Sequence, residues 1–248
     1  MLSKREVMFL NESNAIERLH TLSYKSDSSE GHAKAWMQLR DKSSERDLLT
    51  LDDICHAQDL LMKEQKRAGV IVRESAHGLI RGPQNRLNVT AGNYPAPYFD
   101  DVPGLMDKYM IDLNEELNNP KMPVTDIAAT YHVRFECIHP FADGNGRTGR
   151  MLANYIMKFF GLPIIVFTYA DKERYYEACR SKTLMKEYFR DKFREFGICL
   201  KCDNNFIRRT EKGIETDAYY CDECNSEIGL DWENALYGIP GHVGEKGK

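Results

Sequence analysis

Two apolar segments, residues 124–138 and 150–160, are separated by a stretch that a hydrophobic core has no use for, HPFADGNGRTGR at 139–150. The first segment sets Val124, Ile127, Tyr131, Phe135 and Ile138 along one helical face and delivers the chain to His139. The second, RMLANYIMKFF, reads as a strongly apolar helix that begins near Gly146 and is stopped by Gly161 and Pro163. The polar stretch therefore sits between two core helices, at a helix N-terminus. A chain of 248 residues with 42% hydrophobic content can bury one good core around such a pair, with room for a small appendage.

The remaining periodicity is also helical. Residues 4–18 form a short helix with Val7, Phe9, Leu10, Ile16 and Leu19 as apolar positions, followed by a polar linker, SYKSDSSEG, at 23–31. Helical spacing returns at 31–41 and 51–67, the latter marked by Leu51, Ile54, Leu60, Leu61 and Met62, with Asp52 and Asp53 near its start. Glycine and proline punctuation over 73–97 predicts loops and one small β-hairpin. Helices follow at 103–118, 171–182 and 184–196. Net charge is −4 and no part is strongly basic, which excludes a general polyanion binder. The N-terminal residues lack a signal peptide's apolar run, and no stretch approaches the ~20 apolar residues of a membrane span. With an odd seven cysteines, four of them in CxxC pairs, the expectation is a cytoplasmic protein that does not use membranes.

The residue types in 139–150 specify a chemistry. Free N–H groups at a helix N-terminus, together with the helix dipole, favour an anion, and glycines let backbone approach phosphate oxygens. Arg147 and Arg150, three apart, add two guanidiniums from one side, which suits a polyphosphate. Asp143 is a natural Mg²⁺ ligand in company with substrate phosphates. His139 is the nearby group able to take a proton at neutral pH. Together these describe a transferase with a base for a hydroxyl and a cradle for a Mg²⁺-nucleotide.

The stretch matches the signature His-x-Phe-x-Asp/Glu-Gly-Asn-Gly-Arg-x-x-Arg at every defining position, and in this the chain resembles the Fic family over roughly residues 1–196. The resemblance implies an all-helical Fic fold and transfer of AMP from ATP to a protein hydroxyl. It makes His139 the base and Asp143 the Mg²⁺ ligand. Gly144, Asn145 and Gly146 would contact the phosphates, Arg147 the α/β region and Arg150 the γ-phosphate, with Phe141 buried to anchor the loop. Doc-type relatives, which phosphorylate, carry Lys where this chain has Gly146, so nucleotidyl transfer is the expectation; the nucleobase stays open. ESNAIER (12–18) resembles the family's inhibitory motif, Ser/Thr-x-x-x-Glu-Gly/Asn, with Ser13 and Glu17 in register and Arg18 where Gly or Asn is usual. Glu17 would take the guanidinium of Arg150 that the γ-phosphate needs, and in some relatives the equivalent glutamate also helps remove AMP. A second match, Ser26 to Glu30 with Gly31, lies in the polar linker; a plain solvated helix is the third reading.

Extended backbone over Arg86–Gly92, including Val89, would dock a target segment by strand addition, as the family's flap does, unless it is an ordinary surface hairpin. Tyr175 and Tyr176 are candidates for the nucleobase side or for core. Outside the resemblance, Cys199 and Cys202 followed by Cys221 and Cys224 have the spacing of a four-thiolate zinc ribbon, with redox CxxC pairs or unmetallated thiols as alternatives. Its net acidic surroundings argue against nucleic acid and for protein docking or a stabilised homodimer. Cys55, Cys137 and Cys179 read as buried singles. The expected organisation is an inhibitory helix (1–22), a catalytic core (23–196) and a zinc-ribbon module with tail (197–248). The expected cofactors are Mg²⁺ and structural Zn²⁺, with ATP as co-substrate and a protein hydroxyl as acceptor. The rival reading is a zinc-ribbon protein- or nucleic-acid-binding module on a catalytically weak scaffold.

Overall fold

A computed structural model describes residues 1–67, 77–92, 94–195, 206–211, 214–221 and 227–228. Eight α-helices occur among them: α1 (Lys4–Ile16), α2 (Gly31–Glu45), α3 (Leu51–Arg67), α4 (Val102–Asn118), α5 (Val124–Ile138), α6 (Asn145–Phe159), α7 (Lys172–Ala178) and α8 (Lys182–Glu195). A hairpin of β1 (Thr90–Ala91) and β2 (Tyr94–Pro95) lies between α3 and α4. A second, antiparallel sheet has the order β3 (Phe206–Glu211), β4 (Ile214–Cys221) and β5 (Glu227–Ile228).

The α5–α6 hairpin is the centre of the core, and α6 is buried on almost every side. All five predicted face positions of α5 are buried. Helix α5 packs on α6 and α8, while α2 packs on α3 and α6. Gly149 is where α6 passes closest to α5: a Cβ there would lie 2.4 Å from the Glu136 carboxylate and 3.1 Å from the Phe135 ring. Asp126 ties α8 to the first turn of α5 through Arg190 at 2.8 Å and Lys186 at 3.3 Å.

Helix α1 is capped by Ser3 and Glu6 in a reciprocal capping box. Its first turn is pinned twice: Arg5 Nε donates to the Ile164 carbonyl at 2.7 Å, and Glu6 accepts from Trp36 Nε1 at 2.9 Å. Phe9, Leu10 and Ile16 enter the core. The following segment is polar in composition yet anchored, since Tyr24 is buried and exchanges backbone bonds with the Asn11 amide at 2.7 and 3.2 Å.

Several boundaries differ from expectation. Helix α1 stops two residues early because Arg18 turns left-handed (φ 61), with Leu19 N–H closing on the Asn14 carbonyl at 2.9 Å. Helix α2 runs four residues further, to Glu45, and ends at Arg46 in the left-handed region. The predicted helix 171–182 is a 3₁₀ turn (Tyr169–Asp171) and short α7, because Ser181 starts α8 by accepting the Met185 N–H on its carbonyl. The expected buried cysteines are corrected: Cys137 is exposed, lying off the apolar face of α5, and Cys55 and Cys179 are half-buried.

Candidate active site

Helix α5 ends because His139 adopts a left-handed backbone (φ 49, ψ 59), its N–H closing on the Phe135 carbonyl at 2.8 Å. A non-glycine residue there costs about 1 kcal/mol, so the surrounding loop must hold it. His139 Nδ1 lies 3.3 Å from the Glu136 carbonyl oxygen. That contact is a hydrogen bond when Nδ1 carries the proton, which leaves the lone pair on Nε2. Burial lowers the His139 pKa and Arg81 acts in the same direction, outweighing the Glu136 carbonyl, Glu17 and Asp143, so the ring is neutral at physiological pH.

The loop after His139 is closed by its own side chains. Phe141 is fully buried, as expected. The Asn145 amide bridges it, accepting from Phe141 N–H and donating to Phe141 O, both at 2.8 Å. The Asn145 side chain is therefore occupied in shaping the loop, which leaves its backbone N–H for a ligand. Gly144 has φ 77, and a Cβ there would meet Met62 Sδ at 2.9 Å, so glycine is required twice over. Asp143 Oδ1 accepts from Gly144 N–H at 2.6 Å and Oδ2 from Gln65 Nε2 at 3.2 Å. Each oxygen keeps a lone pair, so the carboxylate fits a Mg²⁺ held jointly with phosphates. Among the described residues no cluster of three or more His, Cys, Asp or Glu could hold a metal alone.

Helix α6 begins at Asn145, and its first helical bond runs from Thr148 N–H to the Gly144 carbonyl. The N–H groups of Asn145, Gly146 and Arg147 thus have no acceptor within the helix, the condition for an anion cradle. Both arginines beside it are buried and differently supported. Arg147 Nη2 donates to Gln65 Oε1, while its Nε and Nη1 have no partner among the described residues. Leaving two buried guanidinium donors unmade is costly, and an anion is the ligand that satisfies them. Arg150 is fully engaged. Its Nε donates to Ser13 Oγ and its Nη2 to both the Ser13 carbonyl and Glu17 Oε1, each at 2.9 Å, and Nη1 reaches Tyr175 Oη at 3.3 Å.

Glu17 is thus brought to the cradle, with Oε1 2.6 Å from where a Gly146 Cβ would stand. Burial works against its ionisation, but Arg150 and Arg147 outweigh that and hold the carboxyl below its ordinary range. Glu30, in the competing register, is the exposed N-cap residue of α2 without a side-chain capping bond. Tyr175 belongs to the core: it is buried, and its hydroxyl meets His132 Nε2 at 2.9 Å. Tyr176 is half-exposed, with its hydroxyl 3.4 Å from the Ile16 carbonyl.

The flap prediction needs one change. Arg86 is left-handed (φ 49) at the end of a turn, so extended backbone starts at Leu87. From there burial alternates residue by residue through Val89 to Gly92, the turn glycine of the hairpin (φ 60). Of the proposed zinc ligands, Cys199, Cys202 and Cys224 lie outside the described residues, and Cys221 is described only as the backbone end of β4. Sequence reasoning missed Gln58, Gln65 and Arg81. The two glutamines share a stripe of α3 with Leu61 and Met62, and polar residues on such a stripe were the available signal; Gln58 Nε2 supports the loop at the Asp143 carbonyl (3.0 Å).

Comparison with known proteins agrees with this geometry. The Fic/DOC family model matches residues 48–157. The Protein adenylyltransferase Fic of Drosophila grimshawi is 36% identical over 95 residues, 38% of this chain and 20% of that protein. That of Nematostella vectensis is 31% identical over 105 residues, 41% of this chain and 24% of that protein. The chain thus matches about a quarter or less of those relatives' length. A solved Fic domain containing signaling protein from Bacteroides thetaiotaomicron superposes with a TM-score of 0.57, covering 70% of each chain; at 20% identity the likeness is one of fold. The matched residues 48–157 include the whole His139–Arg150 loop, so the similarity to the Fic/DOC family falls on the candidate site.

Proposed function

We propose that this chain transfers AMP from ATP to a hydroxyl of a target protein, and to itself, and that Glu17 restrains the reaction. The observation that carries the reading is an anion already lodged in the cradle: the Glu17 carboxylate, 2.9 Å from Arg150 and against Gly146, one loop away from a neutral His139. His139 Nε2 takes the acceptor's proton, the acceptor oxygen bonds to the α-phosphorus, and the bond to the β-phosphate oxygen breaks to release pyrophosphate. The unpaired donors of Arg147 and the first N–H groups of α6 hold the phosphates, and Arg150 holds the γ-phosphate once Glu17 withdraws. Mg²⁺ bound at Asp143 would offset phosphate charge. The relatives named protein adenylyltransferase support AMP as the transferred group.

The finer assignments extend this reading. The hairpin edge from Leu87 to Gly92 docks the acceptor segment, and Glu17 also orients water for removal of AMP. Residues 197–248 carry a structural Zn²⁺ on four thiolates and serve protein docking or homodimerisation, while residues 1–22 act as the inhibitory element. Among the described residues no helix is long and apolar enough to cross a membrane, which is compatible with the cytoplasm. The test is incubation with Mg²⁺ and ATP labelled on the α-phosphate. Label should appear on the Glu17→Gly protein and vanish in Glu17→Gly/His139→Ala, with ATP affinity kept within about twofold. The expected loss on removing the base is ~10²–10⁴-fold. Label transferred equally by the His139→Ala protein sinks the assignment.

A further inference from the structure

Arg81 donates through its side chain to four backbone carbonyls and has no part in the function so far assigned. Its side chain is fully buried. Nε donates to the His139 carbonyl at 2.9 Å and Nη2 to the Ile138 carbonyl at 3.0 Å. Nη1 donates to the Leu87 carbonyl at 3.2 Å and the Pro97 carbonyl at 2.9 Å, and the Arg81 N–H donates to the Pro140 carbonyl at 2.7 Å. Every one of these acceptors is a backbone carbonyl.

Burying a cation without a carboxylate is unfavourable unless its surroundings supply negative potential. Here they do. The carbonyls of Ile138 and His139 end α5, where helix carbonyls lack intrahelical donors and the dipole is negative. One planar guanidinium satisfies them and, from its other edge, holds both legs of the hairpin at Leu87 and Pro97. A ladder of two residue pairs has little stability of its own, so that second grip matters. An ammonium group cannot span the same acceptors, because it lacks the planar fork.

We propose that Arg81 is a positioning residue that sets the distance between the acceptor-docking hairpin and the general base, by gripping the hairpin's two legs and the His139 peptide with one guanidinium. This rests on the reading of His139 as base and 87–92 as docking edge. An acceptor strand laid along that edge inherits its register from the hairpin, and misplacing a reacting atom by about 1 Å can cost ~10²-fold in rate.

The test compares Arg81→Lys and Arg81→Met with their parent, Glu17→Gly, using a His139→Ala copy of the chain as acceptor and α-labelled ATP with Mg²⁺. Both variants should bind ATP within about twofold of the parent while kcat falls on the order of 10²-fold. Hydrogen exchange, which needs no activity, should show amides of 87–97 and 139–146 speeding up together while those of α1 and the rest of α6 stay unchanged. If Arg81→Met does not fold, Arg81→Lys decides. The proposal is overturned if kcat stays within threefold of the parent, if ATP affinity falls in step with kcat, or if exchange rises uniformly or in only one of the two segments. A parent that transfers no label refutes the adenylyl-transfer reading instead, and the exchange pattern still decides whether Arg81 couples hairpin and base.

Discussion

Replacing Glu17 by glycine separates the two things the site does, because it vacates the anion cradle without touching the residues proposed to act on ATP. The Arg150 guanidinium is fully buried, whereas the Glu17 side chain keeps 33% of its exposure, so the pair at 2.9 Å is neither a surface contact nor a dry ion pair. A hydrogen bond to a charged group contributes about 1.5–3 kcal/mol, and solvent at the carboxylate places this one at ~1.5–2.5 kcal/mol. If that energy opposes productive γ-phosphate binding, Glu17→Gly should raise transfer by roughly 10- to 70-fold. Glu17→Gln, which keeps a hydrogen bond but not the charge, should fall between. The assay is incorporation of α-labelled AMP with Mg²⁺ over a series of ATP concentrations. Adding Arg150→Ala to Glu17→Gly should return the rate to background, since the freed guanidinium is the beneficiary. Glu30→Gly should change the rate by less than about twofold, Glu30 being an exposed N-cap residue of α2. Activation by Glu30→Gly alone would refute the register, and no change in either variant would reduce α1 to a packing element.

Arg18 gives the opposite sign: its left-handed backbone costs about 1 kcal/mol, so Arg18→Gly should tighten the end of α1, raise its hydrogen-exchange protection and lower wild-type transfer about fivefold. The transfer rate of Glu17→Gly should fall on acidification only below the usual histidine range, because burial lowers the His139 pKa and the base loses its lone pair as pH drops through that lowered value. Stability should depend on buried histidines. Burial holds His132 at about 3 and His32 well below 6.5, so below pH 6.5 the unfolded chain takes up two protons that the folded chain refuses. Burial pushes Glu136 up to about 7, which returns one proton to the folded state, leaving a net loss of at least about 1.4 kcal/mol per pH unit between roughly pH 6 and 5, to which the lowered His139 adds in the same sense. Denaturant unfolding should show that slope, and His132→Gln should flatten it. Protein purified under reducing conditions should carry one zinc per chain, lost with Cys221→Ser, by metal analysis.

The sequence was most legible where local rules and burial agree. Apolar residues at helical spacing predicted α5 and α6; the loop glycines were read as room for phosphate, and only the fold shows that Gly144 is also required by its left-handed backbone and its approach to Met62. Glu17 stood out through its register with Ser13, and the structure sets its carboxylate 2.9 Å from Arg150, with Arg18 adopting the turn that glycine would have made easier. What could not be read are partners far apart in the chain. Gln65 reaches Arg147 across 82 residues, and Arg81 reaches His139 across 58. Neither has a motif, since any polar residue on a helix stripe or any arginine in a loop looks alike until the fold places it. Cys137 shows the same limit at short range: it is two residues before His139, yet it falls off the apolar stripe and so faces solvent.

The two motif arginines show why the site needs the whole fold. Their spacing of three puts both at the start of α6, but that spacing does not say what holds each one. Arg147 is fixed by Gln65 of α3 and keeps two donors unmade among the described residues, whereas Arg150 is saturated by α1 and α7. The donors on α3's side are therefore open to an anion at all times, while those on α1's side open only when α1 yields Glu17. On the proposed reading, a nucleotide would enter such a site through its first phosphates before the last guanidinium is released, and restraint by α1 would act on the pose of the triphosphate more than on its admission. The same asymmetry implies that Gln65→Ala should weaken ATP binding in the wild-type and Glu17→Gly proteins alike, because its contact with Arg147 does not pass through Glu17.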